Sequence, residues 1–145
     1  MPHIIKTMNE ITRCGMQYRT DNLEPFGLKS CHASYLLEIC RNPGISQDTL
    51  ARRICINKSN IARQIVVLEE DGFVIRRSAP NDKRAMELYP TEKTLELLPQ
   101  IKQILTSWEN WLTQDLSEEE AGIVANALVK MKARATACME CMEEK

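Results

Sequence analysis

At 145 residues the chain can form one ordinary domain with a real core, or a small domain plus an oligomerisation element; two independent domains are not expected. A net charge of -1 and 5% aromatic residues exclude neither an enzyme nor a binding protein, and 43% apolar residues is normal for a globular chain. The distribution of charge says more: nine Lys and Arg stand against seven Asp and Glu over residues 46–94, but five against nine over residues 95–145.

The first predicted element is an amphipathic helix over residues 4–19, with Ile4, Ile5, Met8, Ile11 and Cys14 or Gly15 at helical spacing. Pro25 and Gly27 interrupt the chain. A second helix, from about Ser30 to Cys40, is expected to bury Leu36, Leu37 and Ile39 before Pro43 and Gly44 end it. Two short helices follow in quick succession. The first starts at Ser46, a good N-cap, and turns Leu50, Ala51 and Ile54 inward; the second starts near Asn57, also a good N-cap, and runs to Asp71. Only Cys55 and Ile56 separate them, which is the spacing of a helix-turn-helix. Ile61, Ile65 and Leu68 recur at helical spacing and face the first of the pair, leaving Ser59, Asn60, Arg63, Gln64 and Val67 on the opposite face.

Residues 73–77 are β-rich, 78–83 have turn chemistry and 84–89 alternate again, so a β-hairpin, a wing, follows the second helix directly. Thr91 caps a long helix carrying Leu95, Leu98, Ile101, Leu105, Trp108 and Leu112 in nearly a coiled-coil seam, with a kink expected at Pro99. Ser117 to Glu120 is a capping box opening a last helix striped by Ala121, Val124, Leu128, Met131 and Ala135. The expected fold is mostly α with a small β-hairpin wing. Its terminal helices carry more apolar surface than so small a core needs, and the surplus predicts a dimer built from them.

The first twenty residues hold no apolar run long enough for a signal-peptide core, and no stretch could span a bilayer, so a cytoplasmic protein without a membrane partner is expected. In that reducing setting the six cysteines are expected to be mostly free thiols.

With these elements in place, the chain resembles the MarR family of bacterial winged-helix regulators. The resemblance is carried by Pro43-Gly44-Ile45-Ser46-Gln47, Leu50-Ala51, Asn57-Lys58-Ser59, the run LEEDGFVIRR from Leu68 to Arg77, Asp82-Lys83-Arg84 and Thr91-Glu92-Lys93. It covers roughly residues 4–135, and the Asp-x-Arg of the wing is its most specific part. It implies four helices, two strands and two further helices in that order, a homodimer through the first and last helices, and binding to double-stranded DNA. It also implies a repressor released by a small, often aromatic, effector or by cysteine oxidation. One integrated domain then divides into a dimerisation helix (1–30), a winged helix-turn-helix (31–90) and C-terminal dimerisation helices (91–145). The chain departs from the family at Cys55, a turn position where glycine is frequent, at Pro90, where leucine is usual, and at Thr94, where glycine is usual.

On this resemblance the DNA-binding candidates are Lys58, Ser59, Asn60, Arg63, Gln64, Arg76, Arg77, Asp82, Lys83 and Arg84. Arg63 suits guanine, Asn60 or Gln64 suits adenine, and Lys58 suits a phosphate. At the wing the Asp82 carboxylate can accept from the Arg84 guanidinium and aim it into a narrow minor groove, with Lys83, Arg76 and Arg77 nearer the phosphates. A two-fold pair of reading helices predicts a pseudo-palindromic operator with half-sites about one helical turn apart. Two cysteine clusters are candidate effector or sensor positions: Cys31 with His32, and Cys138 with Cys141. One Cys-x-x-Cys supplies only two of the four ligands of a zinc site, so no metal site is assigned. No phosphate loop, nucleophile elbow or acid–base pair is found, so no catalytic residue and no cofactor is expected. The alternatives left open are a thiol-based redox or metal sensor controlling DNA binding, and a winged-helix module that binds protein.

Overall fold

Ser46 closes a two-residue strand and opens a helix, and this double duty organises the fold. The computed structural model describes the backbone of residues 3–143 and their side chains apart from those of Lys83 and residues 141–143. Helix α1 spans Ile4–Leu23, a turn longer than its apolar pattern predicts, and is followed by a 3-10 turn, Glu24–Phe26. Gly27 ends that turn at φ 77, a left-handed value that costs glycine little. Helix α2 (His32–Arg41) buries Ala33, Tyr35, Leu36 and Ile39. Strand β1 is Ile45–Ser46, and helices α3 (Gln47–Arg53) and α4 (Lys58–Glu70) form the helix-turn-helix.

Both predicted caps form. Ser46 Oγ accepts from the Thr49 amide at 3.1 Å, and Asn57 Oδ1 accepts from the Ser59 amide at 2.8 Å and the Asn60 amide at 3.4 Å. Each cap satisfies amides that the first helical turn leaves without partners, a contribution of about 1 kcal/mol. Between the helices Cys55 takes φ 57, a conformation in which a side chain is strained.

Strands β2 (Val74–Ala79) and β3 (Asp82–Pro90) form the hairpin. The sheet is three-stranded, in the order β1-β3-β2, rather than the two-stranded wing expected from sequence. Ile45 pairs with Leu88 and Ser46 with Glu87, so β1 joins the start of the helix-turn-helix to the wing. Gly44 makes this approach possible at φ 90, with the Tyr89 hydroxyl 3.3 Å from where a Cβ would stand.

Helix α5 spans Glu92–Thr113, with Pro99 inside it, and α6 spans Glu118–Glu143. The capping box at the start of α6 forms in both directions: Glu120 N donates to Ser117 Oγ at 3.1 Å, and Ser117 N donates to Glu120 Oε1 at 3.2 Å. Of the apolar seam expected on α5, Ile101 is buried in the core while Leu95 and Leu112 are exposed. The first turn of α5 is pinned with Thr94 inward, and the next residue, about 100° further round the helix, points out.

The chain divides into two compact units, the first ending at Trp108 and the second beginning at Glu109. The core of the first gathers Leu23, Leu36, Ile39, Leu50, Ile61, Ile65, Leu68, Phe73, Leu88 and Ile101, each essentially without exposed surface. Residues predicted to face inward on the helix-turn-helix are all in it or, like Ile54, packed against it. In the second unit Ile123, Val124, Leu128 and Val129 of α6 stand exposed.

Candidate nucleic-acid interface

The outward face of α4 holds most of the polar side chains expected there, but they are not equally free. Arg63 is exposed. Lys58 is exposed too, with Nζ 3.9 Å from Asp48 Oδ2, a surface pair that contributes little and leaves the ammonium able to turn to another anion. Ser59 donates its hydroxyl back to Asn57 Oδ1, so this side chain belongs to the helix cap. Asn60 is half-buried. Gln64 turns inward: its Oε1 lies 2.9 Å from His32 Nε2.

The wing distributes its cations in a similar way. Arg76, expected near the phosphates, is half-buried at the root of the hairpin, where Nη2 meets Glu69 Oε1 of α4 at 3.2 Å. Arg77 is exposed and lies over the Tyr89 ring, 5.0 Å from its centroid, while the Tyr89 hydroxyl donates to Glu87 Oε2 at 2.7 Å. The hydrogen bond to Glu87 chiefly, with burial second, raises the Tyr89 phenol, so it stays protonated as that donor.

Near the tip Ser78 pairs with Met86, whereas the next residue, Ala79, pairs with Asp82, so residues 83–85 bulge out of the ladder. Asp82 Oδ1 accepts from the Arg84 backbone amide at 2.9 Å. The carboxylate thus fixes the backbone of the bulge, where the sequence suggested a grip on the guanidinium. A two-residue Asp-to-amide bond is the local turn chemistry of this side chain. Arg84 is left exposed at the tip, and the Lys83 side chain lies outside the described residues.

The candidate sensor residues fare differently. His32 is buried, Cys31 is half-buried with its thiol pushed up by burial, and Cys138 is exposed on α6. Burial favours the neutral thiol at Cys31 over the thiolate. The side chain of Cys141 lies outside the described residues. Cys14, Cys31, Cys40, Cys55 and Cys138 are free thiols, and among the described residues no three His, Cys, Asp or Glu side chains gather in a way that could hold a metal ion.

Sequence reasoning missed three contributors to this surface: β1, the Glu69 partner of Arg76 and the His32 anchor of Gln64. Only the first had a local signal, the β-branched Ile45 directly after a glycine.

A family model described as the MarR family matches residues 30–86, from the approach to α2 into β3. The crystal structure of the transcriptional regulator SlyA superposes with a TM-score of 0.92 at 29% identity, covering 96% of this chain and 98% of that one. This chain belongs to the MarR family. The MarR family's winged-helix transcriptional regulators therefore supply its context. An HTH-type transcriptional regulator, BilQ, of Clostridioides difficile is 33% identical over 98 residues, which is 68% of this chain and 66% of that protein. Two other curated regulators are matched over 56% and 46% of their length, so the chain spans only part of these relatives. A MarR family regulator from Listeria monocytogenes, crystallised with a 26mer DNA, is 27% identical with a TM-score of 0.89, covering 94% of this chain and 91% of that one. Among the described residues of this MarR-family chain no helix is long and apolar enough to cross a membrane.

Proposed function

We propose that the protein is a cytoplasmic, homodimeric transcriptional regulator, not an enzyme, that binds a pseudo-palindromic duplex operator and represses until a small aromatic effector releases it. The observation that carries this is a helix-turn-helix with Arg63 exposed on its second helix, built into the same sheet as a hairpin with Arg84 exposed at its tip. Arg63, with Asn60, addresses base edges in a major groove, while Arg84 enters the adjacent minor groove. Lys58, Arg77 and Lys83 meet phosphates and supply the salt-sensitive share of the affinity. The DNA-bound Listeria relative supports the same use of the fold here. Exposed apolar residues on α1 and α6, among them Ile4, Ile5, Ile123 and Val129, supply the surface a dimer would cover.

The test is binding of purified protein to the duplex upstream of its own coding sequence, measured across salt concentrations. The expected result is a protein dimer whose affinity falls steeply as salt rises. Absent binding, or binding indifferent to salt, overturns the proposal.

A further inference from the structure

The loop before α2 and the outward-facing helix α4 meet at one buried imidazole. His32 is 1% exposed, and both of its ring nitrogens are engaged. Nδ1 lies 3.0 Å from the Lys29 backbone nitrogen, which has only a proton to offer, so Nδ1 must be the acceptor. The neutral ring then carries its hydrogen on Nε2, which donates to Gln64 Oε1 at 2.9 Å. One tautomer satisfies both bonds. A second proton on Nδ1 would set two donors against each other at the Lys29 end.

We propose that His32 is a positioning residue for α4: through Gln64 it ties the helix that reads DNA to the loop before α2, and its protonation breaks the Lys29 end of that tie. Gln64 is then an internal link and not an adenine reader. This rests on the DNA-binding function proposed above.

The groups facing the ring come from three elements: Lys29 from the preceding loop, Tyr35 from α2, and Gln64 and Asp71 from α4 and its end. Burial dominates and, with Lys29, lowers the imidazole, while Gln64 and Asp71 work the other way; the balance favours the neutral ring. His3 is the only other histidine, so imidazole titration in the chain can be assigned.

The test uses the full chain and the upstream duplex, with affinity measured between about pH 5 and pH 8, where imidazoles titrate. Gln64→Met removes the acceptor. His32→Asn keeps an oxygen for the Lys29 amide but cannot reach Gln64. Each is expected to weaken binding about three- to tenfold, the loss of one hydrogen bond, uniformly across operator base changes; the double variant is expected to lose no more than the worse single. Gln64→Glu, which keeps the side-chain size and an oxygen for Nε2, is expected to move the acidic fall in affinity to higher pH, because a carboxylate favours imidazolium. His3→Gln is expected to leave the profile in place.

Additive losses, a Gln64→Met defect confined to one base pair, or a pH profile unmoved by Gln64→Glu would each overturn the proposal. A wild-type protein that binds no duplex at any pH removes the function itself and this inference with it; normal wild-type binding with unaffected variants overturns the inference alone.

Discussion

Thr94 Oγ1 donates to the carbonyl oxygen of Phe73 at 2.5 Å, from a side chain with no exposed surface. Thr91 Oγ1 donates to the Gly72 carbonyl at 2.6 Å, and Lys93 Nζ reaches the Asp71 carbonyl at 2.9 Å while lying over the Phe73 ring. Three side chains of one helical start thus satisfy three consecutive carbonyls where α4 ends. Replacing Thr94 with valine keeps the shape and removes the shorter of two bonds to the Phe73 carbonyl, which retains the Thr91 amide at 3.3 Å, and is expected to cost about 1 kcal/mol. Thr94→Ser is expected to recover most of that. Urea unfolding of the two variants beside wild type checks both, and equal stability of all three would show that the bond contributes nothing.

Cys55 adopts φ 57 on the surface between α3 and α4. Glycine reaches this conformation without the Cβ clash, and an exposed thiol has little packing to lose. Cys55→Gly is therefore expected to stabilise the fold by about 1 kcal/mol. A lower melting temperature for the glycine variant would contradict this.

Arg84 and Arg63 are expected to fail in different ways. Arg84→Ala should weaken binding broadly across sequences and flatten the salt dependence by about one unit of slope. Arg63→Ala should cost about 1–3 kcal/mol and also relax preference at one position of the site. Competition assays with single-base operator variants distinguish them, and indistinguishable, unselective losses would refute these roles.

The stability of the fold should depend on pH through His32. Its folded-state pKa lies below the ordinary imidazole value, chiefly because of burial, so folding favours the neutral ring. The contribution is present above about pH 6.5, the ordinary imidazole value, and is lost as pH falls through the lower folded value, since the unfolded chain takes up the proton first. Unfolding measured at neutral and mildly acidic pH should show wild type losing more stability on acidification than His32→Gln. A parallel loss in both would place the acid sensitivity elsewhere.

How far the residues announced this arrangement depends on the reach of each interaction. The caps at Ser46, Asn57 and Ser117 bond amides no more than three residues away, and their helices begin where the sequence predicted. The inward stripe Ile61, Ile65 and Leu68 followed from periodicity alone. Strand β1 did not, because a two-residue strand is defined by its partners Glu87 and Leu88, some forty residues on. Gln64 had the right spacing for an outward reader, but its anchor lies 32 residues earlier in the chain. Arg76 likewise followed the alternation of its strand and was claimed by Glu69 of the preceding helix. Helical spacing gives the side of a helix, and a long side chain can still fold back from it.

Strand β3 is flanked by β1 and β2 at Glu87 and Leu88; further out it pairs with β2, and the register shifts between the Ser78–Met86 and Ala79–Asp82 pairs. Stiffness must therefore fall off along the hairpin, with a root clamped from two edges and an end held from one. Such a graded finger can shift its outermost arginine by small amounts to suit grooves of different width while its base stays fixed. Amide exchange should record the gradient, slowest at Leu88 and faster toward the tip, where the Asp82 carboxylate still covers the Arg84 amide.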